Sequence, residues 1–227
     1  MKTRWVVVTG ADTGVGKTVV AVWLLRAWRE SGRPVPGFKP LVSGGRADAR
    51  RLHAAARGLL PLDTLNPWHY RPPVTPMLAA RRAGRPLHLA DVLPQLRAAA
   101  RPFPLALLEG AGGLLSPLGE DFDTRTLIRD LRATPLVVCP NRLGALNQCL
   151  LAAATLPRPA LRRALFVLVD PPRPTATTRS NLDLLAERLG PTTLCRWPWL
   201  GDDPFRPDLA PARRAARQIL RALEPRL

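Results

Sequence analysis

Short, almost unbroken apolar runs recur along this chain at helix-length intervals. Those at 5–9, 35–39, 105–109, 136–140, 165–169 and 192–197 are rich in Val and Leu and too short for helices, so they read as strands. Several carry no polar alternation, which means that both faces must be covered and predicts a parallel sheet with helices on each side. Between the runs, apolar positions three and four apart predict helices over 17–30, 47–57, 77–83, 89–101, 124–131, 145–155, 178–189 and 212–223, mostly punctuated by Pro or Gly. The last of these sets Arg213, Arg214, Arg217 and Arg221 against Ala216, Ile219, Leu220 and Leu223, the pattern of a docked terminal helix with a solvated face. The stretch 60–76, LPLDTLNPWHYRPPVTP, is the longest without periodicity and is expected to be a binding loop or lid.

The first predicted strand runs straight into a glycine-rich turn and a helix: WVVVTGADTGVGKT at residues 5–18. Small residues let such a turn fold tightly, so that backbone N–H groups converge on phosphate oxygens. Lys17 can then reach the β- and γ-phosphates and the Thr18 hydroxyl can ligate Mg²⁺. The first glycine of the usual spacing is Ala11 here, with Gly10 one residue earlier, but the order of strand, turn, GKT and helix is kept. The expected fold class is α/β, a P-loop NTPase-like parallel sheet with helices on both faces, in a single domain spanning residues 1–227.

Composition sharpens this picture. Of 34 basic residues only Lys2, Lys17 and Lys39 are lysines. Lys17 and Lys39 thus mark positions where a compact point charge is required and the wide arginine fork is excluded. The formal charge of +17 raises nucleic acid as a partner, but the arginines are scattered and aromatics are only 5%, which leaves no obvious base-stacking platform. The expectation is a small-molecule enzyme without a nucleic-acid partner. Cys139, Cys149 and Cys195 are odd in number with no CxxC, so buried free thiols are expected, and His53, His69 and His88 lack metal-ligand spacing. No run of about 18 apolar residues exists to cross a membrane, and a cytoplasmic location is expected.

Ligands of an open parallel sheet sit beyond the carboxyl ends of its strands. There the sequence offers FKPLVSGG at 38–45 with Asp48 soon after, and LEGAGG at 108–113. Thr18, Asp48 and Glu109 can therefore meet around one Mg²⁺, an ion that takes hydroxyl, carboxylate and phosphate oxygen. Taken singly, Asp48 could cap the helix beginning near Ala47, and Glu109 could pair with one of the many arginines. Small residues after Glu109 leave room for a ligand.

With GADTGVGKT, FKPLVSG, LNPW, PPVTP, LLEGAGGLLSPL, NRLGALNQ and WPWL all present, the chain resembles the dethiobiotin synthetase family from its first strand to about residue 200. The resemblance implies an ATP-dependent cyclo-ligase: CO₂ is captured by 7,8-diaminopelargonate as a carbamate, the carbamate takes the γ-phosphoryl group of ATP, and the second amine closes the cyclic urea. It implies that Lys17 and Lys39 are catalytic, that Thr18, Asp48 and Glu109 hold Mg²⁺, and that Ser43 contacts the substrate. The nucleotide is expected against Thr13, Gly14, Val15, Gly16, Lys17, Thr18 and Val19, faced by Asp48, Glu109, Gly110, Ala111 and Gly112. Its base is expected among Val169, Asp170, Trp197, Pro198 and Trp199. A homodimer is implied, with the segment from Gly144 to Asn147 receiving the substrate carboxylate of the other subunit. Three positions depart from the family pattern: Val169 stands for an asparagine that reads adenine, Thr75-Pro76-Met77 for Ser-Pro-His, and Arg142 for lysine. A regulatory or DNA-associated P-loop ATPase, or a ligase with another substrate, remain the alternatives.

Overall fold

The computed structural model describes residues 2–227, apart from the side chain of Thr192. Its strands are β1 (Arg4–Gly10), β2 (Gly37–Phe38), β3 (Leu41–Ser43), β4 (Trp68–Tyr70), β5 (Leu105–Glu109), β6 (Thr134–Pro140), β7 (Leu165–Val169) and β8 (Leu194–Trp197). The helices are α1 (Lys17–Glu30), α2 (Ala47–Ala55), α3 (Leu62–Leu65), α4 (Pro76–Arg82), α5 (Leu89–Ala100), α6 (Thr124–Asp130), α7 (Ala145–Thr155), α8 (Arg158–Leu161), α9 (Ala176–Leu189) and α10 (Ala210–Leu223). Six strands form one parallel sheet in the order β2-β5-β1-β6-β7-β8.

Strand side chains alternate between two cores, one on each face. Trp5 and Val7 of β1, Ala106 and Leu108 of β5, and Phe166 and Leu168 of β7 belong to one core; Val6 and Val8, Leu105 and Leu107, and Leu165 and Val167 belong to the other. This two-sided burial is why the runs read as continuously apolar. Helices α1 and α10 cover the second face; of the apolar side predicted for α10, Ala216, Ile219 and Leu223 are buried and Leu220 is half-buried, and Ala212 is buried with them. Arg213 and Arg217 on its outer side reach Glu30. Cys139, Cys149 and Cys195 are buried free thiols.

The stretch 60–76 departs from the expected loop. It contains α3 and β4, and β4 pairs in parallel with β3 as a separate two-stranded sheet, Leu41 opposite Trp68 and Ser43 opposite Tyr70. The partner of each three-residue strand is more than 20 residues away, so neither leaves a local periodic signal. This small sheet carries the chain from β2 to the wall of the cavity at the strand ends.

Candidate active site

The turn after β1 owes its shape to its glycines. A β-carbon at Gly10 would lie 2.7 Å from Val15 Cγ2 and 3.0 Å from the Asp12 carbonyl, while Gly14 and Gly16 take left-handed φ of 73° and 96°. Gly16 is also the N-cap of α1, so the first amides of that helix face the same space. Lys17 folds over this turn and donates from Nζ to the Asp12 carbonyl at 2.7 Å. Burial, followed by the positive charge of Lys39, lowers its ammonium from 10.5 to about 8.

The register of β2 on β5 opposes Phe38 to Leu108 and so brings the next residues, Lys39 and Glu109, side by side. Their side chains are 5% and 1% exposed and the Nζ to Oε1 distance is 2.7 Å. Thr18 Oγ1 donates to the same Oε1 at 2.7 Å, Lys39 donates also to the Gly110 carbonyl at 2.9 Å, and Asp48 Oδ2 stands 3.9 Å from Lys39 Nζ. Glu109 therefore pairs with lysine and not with an arginine, and Asp48, in the first turn of α2, makes no side-chain capping bond. The second oxygen of Glu109, Oε2, is buried without a hydrogen-bond partner. An orphaned carboxylate oxygen beside a threonine hydroxyl and a second carboxylate is an all-oxygen set that fits a hard divalent cation. No cluster of three or more His, Cys, Asp and Glu occurs among the described residues, so such an ion would draw on Thr18 and phosphate as well.

Two cavities meet at the glycine turn. The first, about 690 Å³, is lined by Thr13, Gly14, Gly16, Lys17, Thr18, Val19, Lys39, Ser43, Asp48, Glu109, Ala111 and Gly112 of the expected residues. Its far wall is made by Leu41, Val42 and residues 73–76, and Ser116 closes one side. Ser116 Oγ accepts from the Gly113 amide at 2.8 Å, and a β-carbon at Gly112 would strike that serine. Ser43 Oγ donates to the Val74 carbonyl, which leaves its lone pairs facing the cavity as acceptors. The second cavity, about 560 Å³, shares Gly14, Gly16 and Val19 and adds Val15, Val169, Asp170, Trp197, Pro198 and Trp199.

Register explains this second grouping, since Pro140 opposes Val169 and Val169 opposes Trp197 at the ends of three neighbouring strands. Asp170 is already engaged: Oδ1 accepts from Asn141 Nδ2 at 2.8 Å, and Oδ2 from Arg196 at 2.7 Å. Asn141 donates also to the Thr178 carbonyl and accepts from Asn181. These buried amides lie outside the residues expected from sequence; Asn141 was visible only as part of NRLGALNQ.

Three expected residues line neither cavity. Gly110 lies behind the wall, where a β-carbon would sit 2.6 Å from Thr124 Oγ1, so its smallness serves packing rather than ligand contact. Gly144, the left-handed N-cap of α7, and Asn147, one turn on, are exposed on the outer surface.

Comparison with known proteins finds relatives along nearly the whole chain. A family model described as AAA domain matches residues 4–205. The ATP-dependent dethiobiotin synthetase BioD of Anaeromyxobacter dehalogenans (strain 2CP-C) is 37% identical over 224 residues, 96% of this chain and 98% of that protein. The protein of the same name from Ralstonia nicotianae is 37% identical, covering 93% of each chain, and that from Xanthomonas oryzae pv. oryzae 33% identical over 92% and 94%. Among solved structures, one described as a plasmid partition protein of Borrelia burgdorferi B31 bound to AMPPNP superposes with a TM-score of 0.61 over both full chains at 10% identity, a likeness of fold alone. With the phosphate turn, the Lys39 and Glu109 pair and this identity over nearly its full length, the chain belongs to the ATP-dependent dethiobiotin synthetase family.

Proposed function

We infer that the chain is an ATP-dependent ligase that makes dethiobiotin from 7,8-diaminopelargonate and CO₂, with ADP and phosphate as the other products, in biotin biosynthesis. The observation that carries the reading is the buried Lys39 and Glu109 pair in the wall of the first cavity, which runs on from the phosphate turn to Ser43 and residues 73–76 and so has room for a small substrate beyond the γ-phosphate. A nucleotide switch has no need of that room, and this favours the ligase over a DNA-associated ATPase.

On this reading the triphosphate lies over the amides of residues 13–18 with Lys17 on its β- and γ-oxygens. Thr18, Asp48 and Glu109 would hold Mg²⁺, supported by the orphaned Glu109 Oε2. When bound, the ion neutralises charge on the β- and γ-phosphates. Lys39 faces the same point from the substrate side. One amine of the substrate, fixed as a carbamate, sits against its ammonium; a carbamate oxygen attacks the γ-phosphorus, the bond to the bridging oxygen breaks, and ADP leaves. The second amine then attacks the carbonyl carbon of the mixed anhydride, the carbon–oxygen bond to phosphate breaks, and its proton is lost as the ring closes. Lys39 acts by fixed positive charge as negative charge shifts between oxygens, the main catalytic resource of such a transfer. Ser43, its proton committed to Val74, suits an N–H donor, and the diamine supplies one.

The second cavity suits the nucleoside, with Val169 offering no hydrogen bond to the base. Position 1–227 as one domain and a cytoplasmic setting complete the reading; no helix among the described residues is long and apolar enough to cross a membrane. A homodimer is supported by the surface around α7: Leu143, just before its N-cap, is 85% exposed, and Leu150 and Leu151 on the helix are exposed beside Asn147. Such a face, with the Gly144 helix start between, suits a second copy whose substrate carboxylate it would meet.

The test is phosphate release with product mass analysis. Turnover should require both the diamine and bicarbonate and yield the mass of dethiobiotin. Hydrolysis indifferent to the diamine, or stimulated by DNA, would overturn the reading.

A further inference from the structure

Lys39 and Pro40 lie between β2 of the main sheet and β3 of the small one. Their backbone is held by the segment 65–68: Lys39 N donates to the Leu65 carbonyl at 3.1 Å and Trp68 N to the Pro40 carbonyl at 3.1 Å. The Asn66 side chain completes the arrangement. It is fully buried, and its Nδ2 donates to the Lys39 carbonyl at 2.6 Å and the Pro40 carbonyl at 3.3 Å. Its Oδ1 accepts from Arg46 Nε at 2.9 Å. The Arg46 guanidinium further reaches the carbonyls of Leu62 and Asn66 and the exposed Asp63. Arg46 is itself the N-cap residue of α2, two positions before Asp48.

We propose that Asn66 and Arg46 are positioning residues, a clamp that fixes where the Lys39 ammonium stands and ties it to the helix start that carries Asp48. The proposal rests on the reading of Lys39 as the catalytic cation. Its physical basis is that a lysine side chain has four rotatable carbons, so its reach is set by where its backbone is held. Neither ladder of the two sheets holds the Lys39 carbonyl; Asn66 does. Misplacement by about 1 Å at such a site costs on the order of 100-fold in rate.

Asn66→Asp separates this role from simple structural satisfaction. The carboxylate keeps and strengthens the partner of Arg46, yet an ionised carboxylate only accepts, so it turns attraction to the Lys39 and Pro40 carbonyls into repulsion. The expected result is a fall in kcat of about 10–100-fold, with the KM and Kd for ATP within twofold of wild type, because the phosphate turn lies between β1 and α1, away from these contacts. Arg46→Ala should likewise lower kcat while leaving the KM and Kd for ATP within twofold of wild type. Asp63→Ala, which removes only the exposed outer pair, should leave both unchanged. Lys39→Ala is measured beside them. If Lys39→Ala retains turnover, the catalytic reading itself fails; if Lys39→Ala is inactive while Asn66→Asp and Arg46→Ala turn over normally, the clamp alone is refuted. A parallel loss of kcat, ATP affinity and thermal stability would also refute it, by marking a merely structural role. Should Asn66→Asp yield no folded protein, Arg46→Ala decides by the same criteria.

Discussion

Glu109→Gln tests the centre of the site most directly. Glu109 and Lys39 are both buried and 2.7 Å apart, so removing one charge strands the other in the interior. Breaking a buried pair costs about 3–5 kcal/mol. Here the Gly110 carbonyl at 2.9 Å and Asp48 at 3.9 Å remain beside Lys39, which places the expected loss near the lower end, about 3 kcal/mol. For a chain of this length that corresponds to a fall in Tm of roughly 6–12 °C. The double variant with Lys39→Met removes both charges and should recover much of the loss, since apolar replacements of buried pairs are often neutral. Turnover behaves differently, because it depends on the carboxylate that would serve the metal: the single variant should lose about 100–1,000-fold, the scale of one preorganised electrostatic group, and need more Mg²⁺, while the double variant, which lacks the Lys39 cation as well, should be at least as slow. Thermal unfolding and a Mg²⁺ titration of phosphate release measure the two effects separately. A single variant with unchanged Tm, or a double variant no more stable than the single, would refute the buried-pair reasoning; an unchanged Mg²⁺ titration and rate would remove Glu109 from the metal site.

Four further outcomes are expected. Lys17 in the free protein loses its proton near pH 8, chiefly through burial, and a bound triphosphate favours its charged form; kcat/KM for ATP should therefore hold below about pH 8 and decline above it, and a flat profile to pH 9.5 would contradict this. Relative kcat/KM for ATP, GTP and CTP should differ by only about 10–200-fold, the range of an apolar pocket, because Val169 offers the base no hydrogen bond; a preference for ATP of a thousandfold or more would show that other groups read it. Mixing Asn147→Ala with Lys17→Ala should restore part of the activity through mixed dimers, and absence of rescue despite subunit exchange would speak against a shared site. Gly110→Ala should lower stability by about 1–3 kcal/mol, read by thermal unfolding, because its β-carbon would meet Thr124 at 2.6 Å.

The sequence by itself determined the elements whose signals are local. Unbroken Val and Leu runs marked β1, β5 and β7 because burial on both faces leaves no polar position in them. The glycine turn, its lysine and its threonine were legible because φ above zero and close backbone approach admit few residue types. Lysine scarcity singled out Lys39 in the same way. Tertiary structure decided the rest. That Glu109 pairs with Lys39 follows from β2 lying beside β5, an adjacency between residues 70 positions apart that no spacing encodes. The β3 and β4 pair and the Asn66 contacts arise likewise from segments brought together only when the sheet closes, which is why 60–76 read as a loop and Asn66 was visible only as part of LNPW. Gly110 was singled out with its neighbours as a ligand contact, yet its requirement comes from Thr124 behind it: a sequence shows that a position is small, and only the packed fold shows which neighbour demands it.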